Sequence, residues 1–336
     1  VSDKTGIEWT QGDDGTPGAT WNPVTGCTKV SPGCDHCYAE TFAERWRGTP
    51  GHHFENGFDV TLRPERLDQP LRWKRPRRIF VNSMADLFHE AVPDEFLHRV
   101  FAVMAMASQH TFIVLTKRHA RMRSFLQDDC KCGSGHVPGI HLRSAMDWAG
   151  TRHSPTYVPG VVGGEVYHHR AWPLPNVWLG VSAEDQKWAD IRVPVLLDTP
   201  AAIRFVSAEP LLGPIDLGAW LGAMWKCNSC GFIQGQWVGT ANCFRCGTRN
   251  WPLPVISLDW IVAGGESGPG ARPCNLDWLR AIRDRCACDS VPLFVKQLGS
   301  VLGKQLGAGS KGGSIDAFPE DLRVRQFPQV PSAVAA

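Results

Sequence analysis

The sequence predicts a parallel α/β fold, a full or partial (β/α) TIM-type barrel carrying a small inserted module. Three observations predict it. Six short runs rich in valine, isoleucine and phenylalanine read as buried strands, and stretches long enough for a helix separate most of them. Each run is followed at once by polar or glycine residues, as in parallel barrels, where the βα loops converge on one face. Between the fourth and fifth runs lie two CxxC pairs separated by twelve residues.

The runs, in order, are Ile79 to Asn82, Phe112 to Thr116, Val177 to Val181, Ile203 to Val206, Trp260 to Ala263 and Leu293 to Val295. They end in Asn82-Ser83 with Asp86, Thr116-Lys117-Arg118, Ser182 with Glu184, Ser207 with Glu209, Gly264-Gly265-Glu266, and Lys296-Gln297. A further first strand is expected around Thr20 to Val24, where proline and glycine weaken the pattern. Asp94 to Ser108 has a helical apolar face with acidic residues at its start, which suit the helix dipole. Asn275 to Cys286 is a second amphipathic helix, with Asn275 placed as its N-cap. From about Gly303 the chain is rich in glycine, serine and alanine, and PQVPSAVAA reads as a frayed tail. The expected organisation is therefore the N-terminal part of a barrel over 1–223, an insertion over 224–251, the C-terminal part of the barrel over 252–300, and an extension over 301–336.

Composition narrows the functional classes. No run of eighteen apolar residues appears among 43% hydrophobic residues, so no membrane span is expected. The segment VSDKTGIEWTQGDDG lacks the basic and apolar regions of a signal peptide, which points to the cytoplasm, or that of an infected host. Twelve cysteines in a reducing compartment then favour metal ligation over disulfides. A formal net charge of +2 provides no global attraction for nucleic acid. The basic stretch Arg72 to Arg78, RWKRPRR, either tracks a phosphate backbone or coats a solvated surface.

Cys27, Cys34 and Cys37 fall within one short loop, GCTKVSPGCDHCYAE. A closed structural zinc site takes four ligands. His36, wedged between Asp35 and Cys37, is poorly placed to be the fourth. Three thiolates instead suit a 4Fe-4S cluster with one open iron, which the amino and carboxylate groups of S-adenosylmethionine can chelate.

This loop resembles that of the radical S-adenosylmethionine superfamily. Its first gap is six residues where three is commonest, while Cys34-Asp35-His36-Cys37 keeps the usual last spacing and a plausible helix follows. More closely, TWNPVTGCTKVSPGCDHCYAE, FVNSMADLFHE, FIVLTKR, NVWLGVSAED, IRFVSAEPLLG, LDWIVAGGESGPGARP and PLFVKQLG resemble a phage-associated family of uncharacterised three-cysteine proteins, described as radical-enzyme-like. The resemblance spans Thr20 to Gly299 and implies a partial barrel of the radical kind and a role in phage or mobile-element biology. It further implies that an electron, delivered by a donor such as flavodoxin or ferredoxin, cleaves S-adenosylmethionine to a 5'-deoxyadenosyl radical. By strand order, Ser83 and Asp86 are assigned to the methionyl amino group, Ser182 and Glu184 to the ribose, and Tyr38 also to the cofactor. Glu209 is assigned to the adenosyl moiety or substrate. Lys117, Arg118, Glu266, Arg272 and Lys296 are candidates for substrate charge or proton transfer, or else internal ion pairs.

Cys227, Cys230, Cys243 and Cys246 have the pairing of a tetrahedral zinc ribbon. Such a ribbon either staples an insertion too small for its own core or presents Arg245, Arg249 and nearby aromatic rings to nucleic acid. An auxiliary iron-sulfur cluster is the lesser alternative. Cys130, Cys132, His136 and His141 have the ligand types of another zinc site, and Cys286-Ala287-Cys288 forms a second CxC pair. The expected function is radical modification of a nucleic-acid base or nucleotide, such as hypermodification of phage DNA. The alternatives are a photoproduct-type repair lyase and a non-enzymatic, zinc-dependent nucleic-acid-binding protein.

Overall fold

A computed structural model describes residues 4–12, 14–127, 139–151, 157–166, 171–222, 224–226, 229, 233–235, 246–248, 254–255 and 257–329. The chain is mixed α/β and divides into two compact units, Val1–Ser182 with Asp198–Ile203, and Ala183–Leu197 with Arg204–Gln329.

In the first unit, β1 (Ala19–Trp21), β2 (Arg78–Val81), β3 (Thr111–Thr116) and β4 (Val177–Ser182) run parallel in chain order. Thr20 is in register with Phe80, Phe80 with Ile113, and Val114 with Leu179. Trp21, Ile79, Val81, Phe112, Val114 and Trp178 are buried, as expected of parallel strands covered on both faces. The longer helices are α1 (Tyr38–Glu44), α2 (Asp94–Met106), α3 (His119–Gln127) and α4 (Ile140–Trp148), with a single turn at Gln69–Arg72. Helix α2 buries Phe96, Leu97, Val100, Phe101, Val103 and Met104, and it carries Asp94 and Glu95 in its first turn.

The expected strand from Thr20 to Val24 is divided. Pro23 has no N–H for a ladder. The chain leaves the parallel strands after Trp21, and Val24–Thr25 pairs antiparallel with Thr61–Leu62. Asn82 N–H donates to the Trp21 carbonyl at 2.8 Å, so the ends of β1 and β2 stay together past the division.

In the second unit, β5 (Ile203–Ala208), β6 (Trp260–Gly264) and β7 (Leu293–Gln297) are parallel and adjacent in that order. Helices α5 (Gln186–Leu197) and α6 (Leu276–Cys288) accompany them. Met224–Lys226 pairs antiparallel with both Ile233–Gly235 and Pro254–Val255. This small sheet brackets the expected zinc ribbon, whose Cys227, Cys230 and Cys243 lie outside the described residues.

The glycine-rich C-terminal stretch is more ordered than its composition suggests. After β7 comes α7 (Ser300–Gln305), and Ala308, Phe318 and Leu322 are buried. The chain then returns antiparallel along β7, with Val295 N–H donating to the Val324 carbonyl at 2.8 Å and Gln326 N–H to the Leu293 carbonyl at 2.8 Å. Glycine is needed here for close approach: Gly312 has φ +70°, and a Cβ on it would lie 2.5 Å from the Gly299 carbonyl oxygen.

Helix α6 starts as the sequence predicts. The Asn275 side chain accepts from Asp277 N–H at 2.9 Å. Replacing Asn275 with Ala should cost about 1 kcal/mol of stability, read as a lower urea midpoint at unchanged slope, whereas Asn275→Asp should stay close to wild type.

Candidate functional site

The three-cysteine loop is seated by main-chain contacts at its first cysteine and the glycine before it. Gly26 N–H donates to the Met84 carbonyl at 3.0 Å, and Cys27 N–H to the Phe58 carbonyl at 3.1 Å. Gly26 has φ +86°, and a Cβ there would lie 2.2 Å from the Asp59 carbonyl oxygen. Only glycine fits that corner. Cys34 closes the 3-10 turn Pro32–Cys34, and Cys37 occupies the N-cap position of α1, its carbonyl accepting from Thr41 N–H and Oγ1. All three thiols are half-buried. The Tyr38 hydroxyl donates to the Ser83 carbonyl at 2.5 Å, tying α1 to the end of β2.

The polar ends of β2 and β3 close around this loop. Asn82, in the left-handed region at φ +58°, accepts from Val24 N–H at 3.3 Å. Asn22 Oδ1 accepts from Ser83 Oγ at 3.3 Å and Met84 N–H at 3.2 Å. Asp86 is buried and spans the gap between strands. Its Oδ1 accepts from Thr116 Oγ1 at 2.7 Å and Phe88 N–H at 3.0 Å, while Oδ2 accepts from Lys117 N–H at 3.0 Å. Arg118 reaches from the end of β3 to the cysteine loop, with Nη1 3.2 Å from Cys27 Sγ. Burial pushes the Cys27 thiol up to about 11, with Asp86 adding to the shift and Arg118 opposing it. His89 Nε2 lies 2.9 Å from Thr28 Oγ1. Burial, reinforced by Arg118, holds His89 below the ordinary imidazole range.

Ser83, Asp86, Tyr38, Lys117 and Arg118 are therefore gathered at the three-cysteine loop in one unit. Ser182 is buried at the end of β4. The other predicted strand-end residues belong to the second unit. Glu184 is fully buried with Arg192, Oε2 to Nη1 at 3.0 Å, and the Arg192 guanidinium lies over the Trp188 ring at 4.2 Å. Glu209 accepts from Ser207 Oγ at 3.2 Å and sits 3.3 Å from Lys296 Nζ. Gly264 makes room for it, since a Cβ there would lie 2.7 Å from Glu209 Oε1. Glu266 is gripped by Arg272 through its main-chain N–H at 2.8 Å and its guanidinium at 2.6 and 2.9 Å.

His141 is exposed on α4, and its expected co-ligands Cys130, Cys132 and His136 lie outside the described residues. Cys246 is exposed. In the basic stretch, Arg72 pairs with Asp68, Arg77 lies over the Trp73 ring and Arg78 donates to the Gln11 carbonyl, while Lys74 and Arg75 are exposed. Asn22, His89 and Arg192 escape sequence reading, while Asn82 is read there only as the polar end of a strand. His89 alone carries a signal, a histidine three residues past the strand-end Asp86.

Among the described residues no three Cys, His, Asp or Glu side chains stand in a grouping that could hold a metal ion as they are arranged. The donor chemistry nevertheless fits an iron-sulfur cluster. Three thiols share one loop, all are half-buried, and a guanidinium N–H faces one of the sulfurs.

A family model described as "Protein of unknown function (DUF5131)" matches residues 4–320. The chain belongs to this family. The match takes in all three loop cysteines and all seven parallel strands. No curated protein and no solved structure matches the chain.

Two outcomes are expected of this geometry. Alkylation in mildly alkaline buffer should label Cys34 and Cys37 well before Cys274 and Cys286, whose thiols burial pushes up to about 12; peptide mass spectrometry reads the order. Arg192→Met alone should destabilise the protein by about 3–5 kcal/mol because it strands a buried carboxylate. Adding Glu184→Leu should recover most of that loss in a urea melt.

Proposed function

We propose that this chain is a radical S-adenosylmethionine enzyme, on a partial barrel of that kind, acting on a nucleic-acid base or nucleotide. The observation that carries the reading is the position of the cysteines: their loop follows the first parallel strand and is gripped by the C-terminal ends of the next two. That is the face on which parallel α/β folds assemble their sites.

Cys27, Cys34 and Cys37 would hold a 4Fe-4S cluster, with its fourth iron left for S-adenosylmethionine. When bound, the cluster supplies the electron that breaks a sulfonium carbon–sulfur bond. The residues around the loop bind and orient. Tyr38 and Asn22 fix the Ser83 segment beside the loop, where the Ser83 hydroxyl and the position of that segment would help to orient the cofactor. Half-burial of the thiols limits the access of water. In the second unit, Lys296 with Glu209 is the group we assign to holding and releasing a proton, supported by their 3.3 Å approach and by Ser207. Glu266, locked by Arg272, is assigned a fixed charge. Cys227, Cys230, Cys243 and Cys246 would carry zinc in a ribbon that helps grip nucleic acid. A flavodoxin or ferredoxin would deliver the electron, in the cytoplasm of a cell or of a phage-infected host. No helix among the described residues is long and apolar enough to cross a membrane.

Anaerobic reconstitution with iron and sulfide should give a brown protein that forms 5'-deoxyadenosine from S-adenosylmethionine and dithionite. Changing Cys27, Cys34 or Cys37 to Ala should abolish both colour and product, while replacing the Cys227–Cys246 quartet should remove zinc and spare the colour. Colourless protein with zinc at the three-cysteine loop would overturn the proposal.

A further inference from the structure

Sequence order offers Arg118 to the substrate, as a cation at a strand end. Its hydrogen bonds assign it elsewhere. A guanidinium has five N–H donors in a fixed fork, and in Arg118 each has an acceptor inside the protein. Nε donates to Glu90 Oε2 at 3.1 Å. Nη2 donates to the Thr28 carbonyl at 3.1 Å and to Thr28 Oγ1 at 2.8 Å. Nη1 faces Cys27 Sγ at 3.2 Å and Asp86 Oδ2 at 3.4 Å. The side chain is only 8% exposed. Binding a substrate anion would require it to give up one of these partners in a site with little water to replace them.

The geometry is that of a support for one cysteine. Thr28, the residue after Cys27, is held by both Nη2 donors, so the guanidinium clamps the main chain of the loop as well as its sulfur. Asp86 aims the fork, and Asp86 is itself fixed by Thr116 Oγ1, Phe88 N–H and Lys117 N–H. Groups one step removed from a metal orient its ligands and tune the metal. Hydrogen bonds to sulfur and local net charge set the potentials of iron-sulfur clusters.

Resting on the cluster reading above, we infer that Arg118 is a positioning residue that donates to the Cys27 sulfur, fixes that ligand and raises the reduction potential of the cluster, with Asp86 offsetting its charge. A donor and positive charge at the sulfur favour the more electron-rich, reduced cluster. A carboxylate nearby disfavours it. The two side chains therefore have opposite effects, although both belong to one hydrogen-bonded group.

The test is a dithionite titration of the reconstituted full-length chain, followed by visible absorption and electron paramagnetic resonance. Arg118→Gln should move the midpoint to more negative potential and alter the resonance of the reduced cluster. Arg118→Lys, which keeps the charge but not the fork, should fall between that variant and wild type. Asp86→Asn should move the midpoint the other way. If Arg118→Gln does not fold, Arg118→Lys and Asp86→Asn carry the comparison through their opposite shifts. Wild-type midpoints and spectra in the Arg118 variants, or shifts of the same sign for Arg118 and Asp86, would overturn the inference while leaving the cluster in place. Failure of the wild-type chain to take up iron would overturn the cluster reading, and the inference with it.

Discussion

The organisation of the first unit at its polar end depends on one buried carboxylate. Asp86 joins the loop after β2 to the end of β3 through Thr116 and Lys117, and joins both to the cysteine loop through Arg118. A buried charge of this kind is tolerable only when its oxygens are well supplied with donors. Asp86 receives a hydroxyl, two main-chain N–H groups and a guanidinium. The arrangement is rigid because most of these donors belong to main chain or to short side chains, which lose little freedom on being held.

The second unit solves the same problem with separate pairs. Glu184 with Arg192, Glu209 with Lys296 and Glu266 with Arg272 each neutralise one strand-end acid. They differ in access. The first is sealed in the core, where it specifies packing, whereas Lys296 keeps 23% of its side chain in contact with solvent. Arg272 likewise keeps 31% of its side chain exposed, so Glu209 and Glu266 both have partners that can meet an outside molecule, and Glu184 does not.

The strands were legible because fully buried parallel strands leave continuous β-branched runs, and their polar ends were legible because loops must be solvated or paired. Helix α6 was legible down to its cap because Asn275 acts on a residue two positions away. Partnerships across the fold were not. Arg118 and Cys27 are 91 residues apart, and nothing in local periodicity distinguishes an arginine that holds a sulfur from one that waits for a substrate. Glu184 shows the converse: it reads as a polar strand end, yet Arg192 eight residues later encloses it in the core. The weakness that proline and glycine give the pattern around Thr20 to Val24 was legible, but not that the chain would leave the parallel strands after Trp21 and pair Val24–Thr25 elsewhere. The order of the last thirty or so described residues was hidden because the glycines there serve close packing, which composition cannot separate from looseness.

That returning C-terminal segment has a consequence for solubility. In the second unit β7 is the last parallel strand, and an uncovered strand of this kind offers a row of free N–H and C=O groups to any other chain with matching spacing. Val324 and Gln326 occupy those groups from within, and Arg325 sets a charge over the Phe294 ring at 5.4 Å. Residues 324–326 thus act as a built-in guard against sheet-to-sheet aggregation, for which their sequence alone would earn no notice.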